Sequence, residues 1–260
     1  MESIVFSYDI LTMLFIIAVL AGFIDTLAGG GGLITIPALI LSGMPPLLAL
    51  GTNKFQACVG SGTAALMMFR KKKVTFNEVK YFMLMAFIGS AIGTIFLQFI
   101  NIEILNFVIP MVLFLIGIYF IFMPKASSLE SKPKMNETTY KYTAVPFVGL
   151  YDGMFGPGTG SFLSLSAIAL RGMDLVKATA LAKPMNFATN ISSVFVFLLY
   201  GQIIFTVGII MMIGQAIGAY VASHFLLKIN PLYLRIIVIL MCFLMLVKYS
   251  FQMGWLDFMI

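Results

Sequence analysis

The stretch Ala21-Gly-Phe-Ile-Asp-Thr-Leu-Ala-Gly-Gly-Gly-Gly-Leu33 sets four consecutive glycines, Gly29 to Gly32, inside a run apolar enough to sit in a bilayer. Glycine is a poor helix former and tolerates backbone angles closed to other residues, so the run predicts a break. Unwound backbone at membrane depth is tolerated only where protein buries it or where it lines a cavity. The second half of the chain carries a break of the same kind, Gly149-Leu-Tyr-Asp-Gly-Met-Phe-Gly-Pro-Gly-Thr-Gly160. An aspartate lies just upstream of the glycines in both, Asp25 in the first and Asp152 in the second.

Composition makes the surroundings of these breaks a membrane. Of 260 residues, 61% are hydrophobic and 10% charged, where a soluble domain carries about 25% charged residues. The chain reads as an all-α polytopic membrane protein, one transmembrane unit over 1–260 with no sizeable soluble domain. The net charge of +6 resides partly in Arg70 to Lys73 and in Lys125 to Lys141, which flank apolar spans. That is the positive-inside pattern of cytoplasmic loops, and it argues against nucleic acid as a partner. Cys58 and Cys242 fall in the middle of apolar segments, where a disulfide framework or a metal site is not expected. The first nine residues hold two acids and no basic cluster, unlike a cleaved signal peptide.

A span needs roughly 20 apolar residues. Six segments meet this: Leu47 to Phe69, Val79 to Ile100, Ile104 to Met123, Leu175 to Tyr200, Ile203 to Leu227 and Leu232 to Tyr249, with Ile10 to Ala28 as a seventh. Leu33 to Leu41 is too short, since nine helical residues rise only about 14 Å; it reads as a half-helix. Thr143 to Phe155 and Ser161 to Leu170 form the matching broken pair. The polar, turn-rich stretch 124–142 between the halves reads as a cytoplasmic linker, and its Asn136-Glu-Thr138 sequon would stay unmodified there.

Landmarks recur between the halves. Asp152 follows Asp25 by 127 residues, Lys183 follows Lys54 by 129, and Asn230 follows Asn101 by 129. Ile213-Gly-Gln-Ala-Ile-Gly218 follows Ile88-Gly-Ser-Ala-Ile-Gly93 by 125. This order predicts an internal duplication, repeat one over 8–123 and repeat two over 143–250. Corresponding loops carry opposite basicity: Arg70-Lys-Lys-Lys73 against Tyr200-Gly-Gln202, and Asn101-Ile-Glu103 against Lys228 to Arg235. The copies are therefore expected to insert in opposite senses, each as a broken pair plus three spans. That makes ten membrane elements, or eight if each broken pair counts once, with both termini outside the cytoplasm.

Residue chemistry points to an anion site. The helices restarting after each break offer unpaired N–H groups and a positive dipole end. The substrate-binding set expected from this is Gly29, Gly30, Gly31, Gly32, Gly156, Gly158, Thr159, Gly160 and Ser161, joined by Asn53, Lys54, Gln56, Lys183 and Asn186. A lysine inside a span costs roughly 2.5 to 3.5 kcal/mol on insertion scales and should face a partner or a wet cavity. Two readings of Lys54 and Lys183 stand side by side: cations converging on an oxyanion, or structural ion pairs with Asp25 and Asp152. The aspartates could also carry protons for coupling. Asn53, Gln56, Asn186 and Asn190 could serve equally as interhelix glue. His224 and Trp255 read as packing and interfacial residues, and Gly89, Gly93, Gly214 and Gly218 as close-packing positions. No zinc-protease, nucleophile-elbow or nucleotide-phosphate motif is present, so neither an enzyme nor a cofactor is expected.

The run Ala21 to Pro37, followed by Ala49-Leu-Gly-Thr-Asn-Lys54, resembles the TauE/SafE family of sulfite and organosulfonate permeases. Gly153-Met-Phe-Gly-Pro-Gly-Thr-Gly160 and Ala178 to Asn190 resemble that family's downstream motif. The resemblance implies a carrier of the bacterial inner membrane that exports sulfite, sulfoacetate or a related sulfur oxyanion by alternating access. An anion channel and a non-transporting scaffold remain as alternatives. Partners are then a small anion and membrane lipid, with a homodimer left open. Ala182-Lys183-Pro184 replaces Asn53-Lys54 of the first copy, so the half-sites are not chemically identical.

Overall fold

In the computed structural model, residues 6–122 and 130–225 are described, together with positions 243 and 247. Asn230, Cys242, Trp255, the loop from Lys228 to Arg235, most of the span Leu232 to Tyr249 and part of the linker lie outside the described residues. Ten helices and no strand occupy the described residues: α1 (Tyr8–Ala28), α2 (Gly32–Leu41), α3 (Pro46–Arg70), α4 (Phe76–Leu97), α5 (Ile102–Phe122), α6 (Glu137–Tyr142), α7 (Ala144–Met154), α8 (Thr159–Arg171), α9 (Leu175–Leu199) and α10 (Phe205–Phe225). The protein is an all-α membrane protein.

Local chemistry sets these boundaries. Pro46 opens α3 at a position where the missing N–H costs nothing. Thr75 and Glu78 form a capping box at the start of α4, and the Asp174 carboxylate accepts from the Val176 and Lys177 N–H groups at the start of α9. Gly29 and Gly172, both left-handed, end α1 and α8.

Among the described residues, Tyr8–Leu27, Phe76–Leu97 and Phe205–His224 are long and apolar enough to span a bilayer by length and composition. The sequence reading expected more spans. Helices α3 and α9 have the length, 25 residues each, but both bury a polar face that includes Asn53, Lys54, Gln56, Lys183, Asn186 and Asn190. Their polar residues are buried against neighbouring helices, while Leu66 of α3 and Phe195 of α9 stay exposed.

Helix order in space follows glycine. A methyl carbon added at Gly89 or Gly93 would lie 2.1 Å from the carbonyl oxygen of Pro146 or Leu150, so α4 and α7 touch backbone to backbone and run in the same direction. Gly214 abuts the Phe15 carbonyl and Gly218 the Val19 carbonyl, which gives α10 and α1 the same relationship. Helices α3 and α9 cross in opposite directions, with Gly51 against Phe197 and Gly62 against Phe187. Each first helix of one half thus packs on the fourth element of the other.

Candidate functional site

The two glycine breaks meet. A Cβ on Gly29 would lie 2.4 Å from the Ser161 nitrogen and 2.5 Å from the Gly160 carbonyl carbon, and one on Gly160 would lie 2.8 Å from the Gly29 Cα. Gly32 stands beside Pro157 and the Asn53 amide nitrogen. Only residues without side chains allow main chains this close. Helix α2 therefore begins against the beginning of α8; in their first turns the Leu33 and Ile34 N–H groups donate to the Gly30 and Gly31 carbonyls, and the Thr159 N–H donates to the Gly156 carbonyl.

The Asp25 carboxylate accepts from the Gly31 N–H at 3.0 Å, and the Asp25 carbonyl accepts from the Gly29 N–H at 2.7 Å, so Asp25 holds the first break in shape. In the second, the Thr159 hydroxyl donates to the Gly156 carbonyl at 2.8 Å, and the Tyr151 hydroxyl donates to the Pro157 carbonyl at 2.6 Å. Gly156 and Gly158 are both left-handed, with φ of 91° and 79°.

Both lysines reach across to the other half. Lys54 Nζ lies 2.7 Å from Asp152 Oδ2, and the two side chains are each 2% exposed. Gly156 leaves the space this ammonium uses, since a Cβ there would be 2.9 Å from Lys54 Nζ. Lys183 Nζ instead donates to the main-chain carbonyl of Asp25 at 2.6 Å. That carbonyl belongs to the last turn of α1, the negative end of the helix, where a cation is stabilised.

A cavity of about 20 Å³ lies between the breaks, enough for about one water-sized sphere. It is lined by Asp25, Gly29, Gly31, Gly32, Asn53, Lys54, Asp152, Gly156, Thr159, Gly160 and Asn186 from the expected set. Gly30, Gly158 and Ser161 lie in the break segments behind this lining, and Lys183 meets it through Asp25. Gln56 is turned away, its amide donating to Asn53 Oδ1 at 2.9 Å, which also accepts from the Thr35 hydroxyl. Asn53 is thereby fixed with its amide nitrogen toward Gly32.

Ala57, Asn190 and Gln215 complete the lining. Gln215 was outside the expected set, although it replaces Ser90 in the duplicated Ile-Gly-x-Ala-Ile-Gly segment, and that exchange is the signal by which it could have been found. Ser90 lies near the second break: its hydroxyl donates to the Thr189 carbonyl, and that of Thr94 donates to the Gly153 carbonyl. Among the described residues no cluster of three or more His, Cys, Asp or Glu side chains suited to a metal ion occurs.

Around this water-sized polar space stand the starts of two helices and the Lys54–Asp152 pair, with the buried ammonium of Lys183 behind Asp25. Comparison with known proteins agrees with the motifs. The model of the family described as "Sulfite exporter TauE/SafE" matches residues 14–249. A "Probable membrane transporter protein" of Haemophilus influenzae is 42% identical over 250 residues, covering 96% of this chain and 98% of its own. The "Probable membrane transporter protein YfcA" of Escherichia coli K12 is 40% identical over 239 residues, covering 92% and 89% respectively. No solved structure matches the chain. The chain belongs to the TauE/SafE family of membrane transport proteins.

Proposed function

We propose that this protein exports a small sulfur-containing oxyanion, sulfite or an organosulfonate such as sulfoacetate, across the bacterial inner membrane by alternating access. The carrying observation is the contact of the two glycine breaks around a cavity bordered by the Lys54–Asp152 pair. Sulfur oxyanions present several acceptor oxygens to such donors, and binding at the midplane between two broken helices suits a carrier. Opposed α3 and α9, and the exchanged packing of α1 on α10 and α4 on α7, support two inverted repeats that rock about this point. The basic turn Arg70 to Lys73 then faces the cytoplasm and the amino terminus the periplasm. The cavity's small volume favours a carrier over an open anion pore.

Efflux of sulfite and of sulfoacetate from proteoliposomes tests this reading. Saturable efflux, accelerated by the same anion outside and abolished in both Lys54→Gln and Lys183→Gln, is expected. Purely electrodiffusive current would instead identify a channel, and unchanged flux in both variants would remove the site assignment.

A further inference from the structure

Lys54 and Lys183 occupy corresponding places in the two halves, yet their partners differ in kind. Lys54 is engaged by a carboxylate, Asp152 Oδ2, at 2.7 Å. Lys183 is engaged by a main-chain carbonyl, while the Asp25 carboxylate beside it is committed to the Gly31 N–H. An anion in the cavity can thus take Lys54 only by displacing Asp152, whereas Lys183 lies behind Asp25.

The groups around Asp152 sharpen this competition. Lys54 and Cys58 reach it from α3, and Tyr151 precedes it on α7. Asp25 of α1 borders the same cavity and Lys183 of α9 reaches Asp25. Helix α4 contributes only the hydroxyls of Ser90 and Thr94 nearby, and α8 that of Thr159. Lys54 is thus the one cation paired to the Asp152 carboxylate among the described residues.

Charge counting then gives a consequence. The empty site holds two lysines and two aspartates and is neutral. Adding a sulfonate monoanion leaves one uncompensated negative charge in a buried space, and two anionic groups sharing one ammonium favour protonation of one of them. We propose that Asp152 is a proton-carrying counter-ion: an oxyanion takes Lys54 as Asp152 picks up one proton, and the two travel together. The proton comes from water on the side to which the site is open and binds a carboxylate oxygen as the contact with Lys54 is lost. It leaves on the far side with the anion, whereupon Lys54 pairs with Asp152 again and the empty carrier returns without a buried unpaired charge. No other bond forms or breaks. The inference rests on the transport reading above and names its coupling ion.

The test uses the full chain in proteoliposomes loaded with sulfite, sulfoacetate or methanesulfonate, with a pH dye inside. The sulfonate groups of the last two do not titrate near neutral pH. One proton leaving with each methanesulfonate, the monoanion of the charge count, is expected. In Asp152→Asn the proton signal should vanish and net efflux fall at least tenfold, while anion-for-anion exchange persists, because Lys54 can be neutralised only by bound anion. Asp25→Asn should keep the proton signal in whatever flux it retains. Flux of a sulfonate without proton movement, or equal loss of exchange and net efflux in Asp152→Asn for whichever anion moves, overturns the inference alone. Absence of flux for all three anions in the wild type overturns the transport reading and the inference together.

Discussion

Gly29 and Ser161, 132 positions apart in the chain, are in backbone contact: a single methyl on Gly29 would sit 2.4 Å from the Ser161 nitrogen. Gly29 is also left-handed, with φ of 74°. A side chain there meets two penalties at once, backbone strain and overlap with main chain that has no rotamer to move.

Gly29→Ala should therefore fail to assemble. Left-handed strain alone costs about 1 to 2 kcal/mol, and the overlap must separate α8 from α1. Gly43→Ala provides the control, because Gly43 is left-handed at φ 92° but has nothing within 4 Å of an added Cβ. Gel filtration after detergent extraction checks this: Gly43→Ala monodisperse with a modestly lowered melting temperature, Gly29→Ala aggregated or absent.

Substitutions at the helix contacts should reverse a usual rule. Replacing a helical glycine by alanine ordinarily favours the helix by roughly 1 kcal/mol. At Gly93 and Gly218 the new methyl would lie 2.1 and 2.0 Å from a carbonyl oxygen, so both variants should be destabilised. Thermal melts in detergent check the sign, and a raised melting temperature in either variant would contradict the backbone contacts of α4 with α7 or α1 with α10.

Lys54→Gln removes one member of a buried pair and leaves the Asp152 carboxylate uncompensated, a change that costs about 3 to 5 kcal/mol in comparable sites. The double variant Lys54→Gln with Asp152→Asn removes both charges and should recover most of the lost thermal stability. Transport should stay lost in both. Stability restored without transport separates the structural part of this pair from its part in moving substrate.

In the segment between the halves, Tyr140 of α6 is buried, and its hydroxyl lies 2.9 Å from that of Ser166. Burial pushes its phenol up to about 12, from an unfolded value of about 10. The folded protein therefore keeps this proton where the unfolded chain has lost it. The stabilisation is complete below about pH 10 and is lost as pH rises through about 12. Tyrosinate absorbance should show Tyr140 among the late-ionising residues, and Tyr140→Phe should lower the late amplitude by one tyrosine.

Much of the site was legible because its residue types are costly in a membrane. Lysines and aspartates inside apolar runs, and glycines in clusters, call for explanation on sight, and the offset between halves paired them. Gln56 and Gln215 were harder, since amides serve as readily between helices as in a cavity. Gln56 turns to Asn53 and Gln215 enters the lining; only the exchange of Ser90 for Gln215 between the copies marks the second in the sequence.

The sequence by itself determined that this is a helical membrane protein broken at two matched places and carrying a buried lysine in each half. Hydrophobic run length and glycine clustering are local properties that need no knowledge of contacts. Only the tertiary structure decided that the breaks touch, that Lys54 takes the Asp152 carboxylate of the other half, and that Lys183 takes a main-chain carbonyl instead. Those choices depend on which helix faces which across more than ninety residues of chain, and on tenths of an ångström in the approach of glycine backbones. Side-chain periodicity along one helix carries neither.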